Sequence, residues 1–507
     1  MWQYTLSGFV IFFIFTIYRL IYALYFSPLR TIPGPLIARV TSKRGKIDQF
    51  SGNVSVRAIL DEQKYGEVYV YKPNAVCINH PEDIKSVLGS QDFLKTGFFD
   101  IFNDGCVRNV VSMRDPILSS QRRRQIGPYF NFWQLAKMED LILRHGYKAL
   151  KTKWDGLMEM NASGQTEVNY RIDTQLVTFD IMSAVAFGRD FGSIRKGSSS
   201  VLKWAGVIMS LLDSSFVLAL LSLLPFSLVM RPWKTMYHEL AVYSDECIQD
   251  RKSLLVIKDN KKPMDMLQAF IDAEDPESRA KMTPLEVQAE SIMMMLAGSE
   301  TTSSAIMWTF HLLLLHPFIL ATAVREIRTT FPSARPYTIT FKDVQIKLPY
   351  TEACIYEALR HSPTTAGLTP RISYTRSITL HSGHIIPPNT EIYVNLRSPN
   401  MHETLWSEPQ RFNPDRFLET DSKKSLFTFS YGPRNCIGKN LAWVEMLTII
   451  ANVLKDYDIF LPDGNMFGPH NVDENGFPRL LPAKCFIASF PSNPERDCKM
   501  IVRKHCE

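Results

Sequence analysis

The chain has 507 residues, of which 45% are hydrophobic and 21% are charged, a composition typical of a globular protein with a large core. Its 57 lysines and arginines against 51 acidic residues give a net charge of +6, too small an excess to indicate a nucleic-acid partner. No internal repeat or long linker divides the chain, and the eight cysteines include no C-x-x-C pair. These features favour one large domain with reduced thiols.

The chain begins with an apolar segment that predicts a membrane anchor. Trp2 to Tyr18 carries no charged side chain and is close to the minimum length of a membrane-spanning helix. Arg19 is expected at one membrane interface, because burying an arginine is costly. Basic residues follow this segment and none precedes it, so the positive-inside rule places the rest of the chain in the cytosol. A cleaved signal peptide is the alternative, disfavoured because the segment lacks a basic start and a small-residue cleavage site.

Three prolines and one glycine in residues 28–36 then predict a stiff hinge. We therefore predict an anchor at 1–27, the hinge at 28–36 and a single catalytic domain at 37–507. The pattern in the domain is mainly helical, with short alternating strands near Val68–Ile78 and Ile385–Val394. The expected fold class is mainly α with small β-sheets.

A second strongly apolar region runs from Val201 to Met230. Either it spans the membrane, or it forms a buried or membrane-dipping access region for a lipophilic substrate. Asp213 and Pro225 interrupt it and favour the second interpretation.

Capping residues predict a long helix from Pro284 to about Leu315. Thr283 is an N-cap residue, Glu286 stands at the third helical position, and Pro317 follows the far end. The middle of this apolar helix breaks the pattern, because Gly298–Ser304 concentrates a glycine, hydroxyl groups and one carboxylate. Such a local conflict inside a strong element indicates a functional site, although a polar patch satisfied by its own backbone or by a neighbouring helix is the alternative.

A shorter helix, Thr351–His361, carries Glu357 and Arg360 near its end and stops before Pro363. Taken alone, a glutamate and an arginine three residues apart usually form a solvated surface pair that contributes ~0.3 kcal/mol.

The most informative segment is the loop Phe429–Gly438. It places Cys436 just before the predicted helix Lys439–Leu454, where the helix dipole favours an anion. Arg434 precedes the cysteine by two residues. A lone cysteine is most often a small buried hydrophobe, but the spacing F-x-x-G-x-R-x-C-x-G fixes five positions at once.

That spacing resembles the haem-binding signature of the cytochrome P-450 family. The resemblance implies that Cys436 is the axial thiolate ligand of a haem b iron, with Phe429 beside it and Arg434 paired with a propionate. Gly432 and Gly438 are expected to let the backbone pass close to the flat macrocycle. The resemblance covers roughly residues 30 to 490.

The disturbed centre of the long helix is similar to the oxygen-activation motif of this family. By that resemblance Ala297 and Gly298 border the haem, and Gly298 makes room for a diatomic ligand. Thr301 donates a hydrogen bond to bound dioxygen, and Glu300 relays protons from solvent. These two residues are the expected catalytic pair.

The flanks of Glu357 and Arg360 match the E-x-x-R element of the family. The segment around Arg416 resembles its third member, although Asp415 stands where glutamate is more common. The resemblance implies one buried network of Glu357, Arg360 and Arg416 that supports the loop behind the haem.

Two further propionate contacts are implied with weaker support. Aligning the basic triplet at 122–124 with the W-x-x-x-R helix of the family places Arg123 on a propionate, but the tryptophan position falls on Ser119. Arg371 is similar to a propionate-binding arginine that follows the E-x-x-R helix.

The resemblance implies a haem-thiolate monooxygenase in the endoplasmic reticulum membrane, with one span and a cytosolic catalytic domain. Its partners would be O2, an NADPH-cytochrome reductase, the membrane and a lipophilic small molecule, with no nucleic acid. No G-x-G-x-x-G motif provides a nicotinamide or flavin domain. The chain looks most like fungal members that tailor secondary metabolites. By position the substrate pocket is lined by Gly97–Val111, Met293–Ala297 and Thr364–Leu368.

Two other function classes stay open. A haem-thiolate isomerase or dehydratase needs no external electrons, and a non-catalytic membrane haem protein could act as a sensor or binder. The Glu300–Thr301 pair argues against both.

Overall fold

The structure is a computed structural model that describes residues 13–103, 107–197, 231–256, 262–332, 337–419, 421–485 and 488–505. The described part is mainly helical, with small sheets, as predicted. The apolar region Val201–Met230 lies outside the described residues, so its two interpretations stay predictions. The boundaries between anchor, hinge and domain also stay predictions.

The helices are α1 (Phe13–Phe26), α2 (Leu36–Val40), α3 (Lys43–Phe50), α4 (Val54–Tyr65), α5 (Pro81–Gly89), α6 (Pro116–Ile126), α7 (Phe132–His145), α8 (Tyr147–Glu159), α9 (Tyr170–Phe187), α10 (Ser193–Lys196), α11 (Arg231–Val256), α12 (Met266–Asp272), α13 (Pro284–Leu315), α14 (Pro317–Thr330), α15 (Phe341–Lys347), α16 (Pro349–His361), α17 (Lys439–Asp456) and α18 (Pro494–Asp497).

The strands are β1 (Val68–Lys72), β2 (Ala75–Ile78), β3 (Leu94–Lys95), β4 (Gln165–Asn169), β5 (Leu368–Ile372), β6 (Ile378–Thr379), β7 (Ile385–Ile386), β8 (Glu391–Asn395), β9 (Tyr457–Phe460), β10 (Ala483–Cys485), β11 (Ser489–Pro491) and β12 (Lys499–Lys504). The largest described sheet has the order β1-β2-β8-β5-β3, in which β2 and β8 are parallel and the other pairs are antiparallel.

Helix α13 begins and ends where the sequence predicts. The Thr283 hydroxyl accepts a hydrogen bond from the Glu286 amide (3.3 Å), and the Glu286 carboxylate accepts one from the Thr283 amide (2.8 Å). These reciprocal bonds satisfy two amide donors that the first helical turn leaves free. Most of α13 is buried, and it packs along α9 through the centre of the core.

Each of the two predicted strand runs is two strands. Pro73 and Asn74 separate β1 from β2, and Asn74 adopts a φ of 59°, a left-handed turn conformation that asparagine tolerates. Pro387 and Pro388 separate β7 from β8, because proline has no amide hydrogen to continue a ladder. The alternation of apolar and polar residues indicates which side chains are buried. It does not show where a strand ends, and here the strands end at turn residues.

The predicted membrane-spanning helix is not confirmed. Residues 1–12 lie outside the described residues, and the rest of the segment is helix α1. Among the described helices, none alone is long and apolar enough to cross a membrane. The bent pair α13 and α14 passes that test only jointly, and α13 is a core helix. Arg19, expected at an interface, donates a hydrogen bond to the Val40 carbonyl (3.0 Å) and so ties α1 to α2.

Candidate functional site

A short loop carries Cys436 to the start of α17. The Cys436 amide donates a hydrogen bond to the Phe429 carbonyl (2.9 Å), and this bond closes the loop. Gly432–Arg434 forms a 3-10 turn inside it. Ser430 adopts a φ of 63°, an uncommon conformation for serine that persists only when the surroundings impose it. The position of the thiol is therefore set by backbone geometry.

The Cys436 side chain is solvent-accessible, yet it lies deep enough for burial to raise the pKa of its thiol. The Gly438 amide donates a hydrogen bond to the sulfur and opposes that rise, as do the positive charges of Arg123, Lys439 and Lys95. An accessible sulfur beside an amide donor and three cations is suited to bind a metal as a thiolate.

The two glycines of the loop have different surroundings. Gly432 has a φ of 73°, and a Cβ built on it would lie 2.2 Å from the carbonyl oxygen of Leu88 in α5. Its lack of a side chain is thus required by contact with α5, which corrects the expectation that a flat cofactor requires it. A Cβ on Gly438 would meet only the Cys436 sulfur, at 3.9 Å. Gly438 alone keeps an open side next to the thiol.

Phe429 links the loop to α17. Its half-buried ring packs against the Trp443 ring at a centroid distance of 6.3 Å, and the Lys439 ammonium lies 5.6 Å from its centroid. Phe429, a predicted cofactor contact, thus packs on α17, the helix that follows the cysteine.

Two buried cations stand side by side on neighbouring strands. Lys95 in β3 is the register partner of Arg371 in β5. The Lys95 ammonium donates a hydrogen bond to the Val111 carbonyl (2.7 Å) and lies 4.4 Å from the centre of the Phe99 ring. Burial lowers the pKa of Lys95 well below its usual value, and the nearby arginines Arg371 and Arg434 lower it further.

Arg434 joins this cationic group. Its guanidinium donates a hydrogen bond to the Met113 carbonyl (2.6 Å). Burial and the charge of Arg123 lower its pKa, and burial followed by the charge of Arg434 lowers that of Arg371. Among the described residues, no carboxylate pairs with Lys95, Arg123, Arg371 or Arg434. We call these four residues the cation cluster.

Ser119 adds an unsatisfied donor near this cluster. It is 1% exposed, and within the described part of the chain its hydroxyl has no hydrogen-bond partner. It lies one turn before Arg123 on α6, so the two side chains share a face. Unpaired cations and a buried free hydroxyl next to an accessible thiol fit a cofactor with two carboxylates and a metal, as haem b has.

Arg123 itself contacts the cysteine loop. Its guanidinium donates hydrogen bonds to the backbone carbonyl (3.0 Å) and the side-chain oxygen (2.9 Å) of Asn435, the residue before Cys436. The neighbouring Arg122 and Arg124 are not free basic residues. Arg122 is buried and paired with glutamates of α13, and Arg124 is paired with Asp275 (2.7 Å).

The disturbed centre of α13 has an accessible face. Ala297 is exposed and Thr301, one turn later, is half-buried, although the turns on either side are buried. The Thr301 hydroxyl donates a hydrogen bond to the Ala297 carbonyl (2.6 Å). Gly298 faces elsewhere, because a Cβ built on it would lie 2.5 Å from the end of the Met182 side chain in α9. The expectation that Gly298 makes room for a diatomic ligand is corrected: it permits close packing of α13 on α9.

Glu300 is held by α9. The Arg171 guanidinium donates hydrogen bonds to the Glu300 carboxylate (3.0 Å) and to the Ser303 hydroxyl (3.0 Å), and Gln175 donates to the other Glu300 oxygen. Arg171 is buried and Glu300 is half-buried. The carboxylate expected to relay protons is therefore held in a partly buried ion pair.

Glu357, Arg360 and Arg416 form one network. The side chains of Glu357 and Arg360 are fully buried and share two hydrogen bonds, of 2.7 and 2.8 Å. The Arg416 guanidinium donates to the same carboxylate (3.2 Å), and so does the Asn413 amide (2.8 Å). Two arginines and a backbone amide thus satisfy one buried carboxylate, the condition under which a buried charge is tolerated.

This network reaches the cysteine loop through Asn400. Arg360 donates a hydrogen bond to the Asn400 carbonyl (2.8 Å), and the Asn400 side-chain oxygen accepts one from the Phe427 amide (2.9 Å). The Thr428 hydroxyl then bonds the Leu359 carbonyl (2.7 Å), next to Arg360. The chain segment just before Phe429 is therefore fixed by the E-x-x-R helix.

Two of the three predicted pocket segments meet. Phe99 and Phe102 form one apolar cluster with Met293 of α13. The third segment does not join that cluster, because Ala366 packs instead against Val54 and Cys485. The expected contribution of Thr364–Leu368 to the pocket is not supported by these contacts.

The chain belongs to the cytochrome P-450 family. It matches the model of that family, described as Cytochrome P-450, over residues 47–480. The fold and the haem-thiolate cofactor of the family agree with the accessible Cys436 and the cation cluster.

Curated relatives support a monooxygenase. Over 488 residues the chain is 66% identical to cytochrome P-450 monooxygenase helB1 of Aspergillus fumigatus, covering 96% of this chain and 84% of that protein. It is 46% identical to cytochrome P-450 monooxygenase helB2 of the same fungus, over 97% of each chain. The haem domain of cytochrome P450DA has the same fold, with a TM-score of 0.73 at 19% identity over 94% of this chain and 98% of that one. The chain is a cytochrome P-450 monooxygenase.

Sequence reasoning missed Lys95 and Arg171. Lys95 is a lone lysine in an apolar and aromatic run, and Arg171 is a lone arginine in the largely apolar helix α9. A charged residue inside such a pattern is a usable signal, because a buried charge needs a partner.

The two loop glycines provide a matched test of structure against cofactor contact. Gly432→Ala should lower the free energy of unfolding of the apoprotein by at least ~2 kcal/mol, since alanine must adopt a left-handed conformation against a backbone carbonyl. Gly438→Ala should leave apoprotein stability nearly unchanged and alter the haem absorption spectrum. Urea unfolding and absorption spectra of both variants decide this, and equal destabilisation by the two substitutions would contradict the geometry.

Removing the Lys95 charge should act in opposite directions on the apoprotein and on haem binding. Lys95→Met removes like-charge repulsion, so the apoprotein should resist urea at least as well as the wild type. It also removes a propionate partner, so haem should dissociate about tenfold faster, measured by transfer to apomyoglobin. Lys85→Met is the control, because Lys85 also lies over an aromatic ring (5.9 Å from Phe427) but is outside the cation cluster. The prediction fails if both variants release haem at the same rate.

Proposed function

We propose that this monooxygenase takes electrons from an NADPH-dependent reductase at a membrane and oxidises a lipophilic small molecule of fungal secondary metabolism. The observation that carries the proposal is the accessible Cys436 thiol beside four cations without carboxylate partners. Those positive charges favour the binding of an anionic cofactor. The accessible face of α13 provides a second functional surface.

Cys436 would hold the haem iron, with the Gly438 amide and nearby cations stabilising its thiolate. Lys95, Arg371 and Arg434 would hold the propionates, and the Ser119 hydroxyl would supply a donor in place of the family's tryptophan. When bound through a thiolate, haem supplies the reductive activation of O2. Arg123 would act mainly by fixing Asn435 and hence the loop.

Thr301 and Glu300 would deliver protons to the reaction site. Oxidation of RH by O2 and NADPH gives ROH, water and NADP+, so protons must enter a site that otherwise excludes water. The Thr301 hydroxyl lies on the accessible face and can accept or donate a proton there once it leaves the Ala297 carbonyl. Glu300 can carry protons only when its carboxylate turns away from Arg171, so this ion pair would set how often it does so.

Membrane association is supported by the surface of α1. Phe13, Tyr18, Tyr25 and Phe26 each expose more than half of their surface. A contiguous exposed apolar face is typical of a membrane or protein contact. The endoplasmic reticulum, a single span and a cytosolic catalytic domain are part of this proposal.

The substrate proposal has two supports. Phe99, Phe102 and Met293 provide an apolar, aromatic wall next to the Lys95 strand. The relatives with 66% and 46% identity are fungal monooxygenases. Both favour a lipophilic metabolite as the substrate.

The function is tested by NADPH-dependent oxygen uptake. Full-length protein, an added NADPH-cytochrome reductase and extracts of candidate lipophilic metabolites should give oxygen uptake that depends on a metabolite. Cys436→Ala should abolish both the uptake and the thiolate-type carbon-monoxide difference spectrum, whereas Cys354→Ala, at a buried cysteine, should retain both. A rearranged peroxide without NADPH would support an isomerase. Binding without any turnover would support a non-catalytic haem protein, and either result would overturn the proposal.

The proton pathway is tested by coupling. Glu300→Gln and Thr301→Val should each lower product formed per NADPH several-fold, with the missing electrons recovered as hydrogen peroxide. Glu300→Gln should also increase the solvent deuterium isotope effect, because proton delivery becomes slower. Ser303→Ala is the control, since Ser303 bonds the same arginine but is fully buried away from the accessible face. A Ser303→Ala enzyme as uncoupled as Glu300→Gln would show that the ion pair acts only on structure.

A further inference from the structure

Three histidines gather at the N-terminal end of helix α5. His80 caps α5, His381 lies in the turn between β6 and β7, and His402 follows the 3-10 turn Ser398–Met401. The His80 and His381 rings stack with centroids 4.0 Å apart and planes 3° apart. The His402 ring stands nearly perpendicular to His80, at 5.3 Å and 83°. Segments far apart in sequence thus present imidazoles to one place.

Carboxylates surround these rings. One ligand atom each from Glu67, His80 and His402 lies within 4.8 Å of the other two, and the same holds for His80, Glu82 and His381. The Glu67 carboxylate is 2.9 Å from the His402 Nε2 atom. The Glu82 carboxylate is 3.5 Å from the His381 Nδ1 atom.

Asp83 is a further buried carboxylate beside these rings. It is 4% exposed, and one oxygen accepts a hydrogen bond from the His381 amide (2.8 Å). Its other oxygen has no hydrogen-bond partner among the described residues, and the carboxylate interacts electrostatically with His80 and His381. Within the described part of the chain, no lysine or arginine pairs with Asp83, Glu67 or Glu82.

His402 has hydrogen-bond partners at both ring nitrogens. Its Nδ1 atom lies 2.7 Å from the Thr404 hydroxyl. Nδ1 also accepts a hydrogen bond from the Thr404 amide (3.3 Å), so Nε2 carries the proton and donates to the Glu67 carboxylate. To bind a metal through Nε2, this proton must move to Nδ1, where the Thr404 hydroxyl can accept it. Metal-binding histidines are commonly fixed in this way by a second hydrogen bond on the other ring nitrogen.

We propose that Glu67, His80 and His402 bind one divalent metal ion of the zinc class, with water completing the coordination. Imidazole nitrogen and carboxylate oxygen are the donors that Zn2+ takes at ~2.0–2.1 Å, so the three side chains must move closer together. His80 must also give up the hydrogen bond that its Nδ1 atom accepts from the Glu82 amide (3.3 Å), because a neutral imidazole has only one free lone pair. His381 stacks on His80 and fixes its ring, and Glu82 and Asp83 add negative charge around the ion. The site is separate from the haem chemistry and goes beyond the proposed function.

The ion would join three parts of the chain. Glu67 precedes β1, His80 begins α5 and His402 lies beyond β8. The other end of α5 supports the cysteine loop, because the Leu88 carbonyl lies against Gly432. A bound ion would therefore hold one end of the helix on which the cysteine loop rests.

Zinc titration of the full-length, haem-loaded protein tests the site. After chelator treatment, the wild type should bind one equivalent of Zn2+ in competition with a chromophoric chelator, and its unfolding temperature should rise. Glu67→Gln, His80→Asn and His402→Ala should each weaken zinc binding at least tenfold. Asparagine is chosen at position 80 because it preserves the cap of α5.

His384→Ala is the matched control, because His384 lies in the same β6–β7 turn but its ring bonds the Ser382 hydroxyl (2.9 Å) and belongs to neither candidate metal-binding group. It should bind zinc as the wild type does. The thiolate-type carbon-monoxide spectrum reports that each variant is folded, and each ligand variant tests the proposal by itself. The proposal is overturned if the wild type binds less than one equivalent, or if zinc affinity in Glu67→Gln and His402→Ala equals that of the wild type.

Discussion

The cation cluster is the constraint on which the site depends. Lys95 and Arg371 are buried side by side, with Arg434 and Arg123 close enough to lower the pKa of their neighbours. Like charges in a region of low dielectric repel strongly, and burying them without a partner is unfavourable. The chain accepts this cost around Cys436, the one accessible thiol among the cysteines that the structure describes. The fold is therefore completed electrostatically by an anionic cofactor, and cofactor binding and stability are coupled.

The thiol also depends on a hydrogen-bonded network on the other side of the loop. Glu357 receives hydrogen bonds from two arginines and a backbone amide, so its burial carries no unpaired charge. Through Asn400 this network fixes Phe427, which lies outside the helices and strands. In our proposal the unpaired charges attract the cofactor, and the hydrogen-bonded network holds the backbone that presents the ligand.

Prediction from the sequence works best where all the residues that determine a feature lie within one short segment. Thr283 and Glu286 specify the start of α13, and the cysteine loop has a spacing that few sequences share. Prediction failed where the partner lies on another element. Gly298 faces Met182 and Gly432 faces Leu88, contacts that no local pattern encodes. Arg171 pairs with Glu300 because α9 packs on α13, and no local sequence pattern encodes that packing.

Helix α5 shows why such contacts matter for function. One end receives the backbone of Gly432 so closely that no side chain fits, and the other end carries His80 among carboxylates. A helix of this length transmits a displacement of one end to the other, because its internal hydrogen bonds leave little freedom along its axis. Anything that fixes the His80 end thus restricts the cysteine loop. The position of the thiol is a property of the packed sheet and helix together, and the loop motif alone does not determine it.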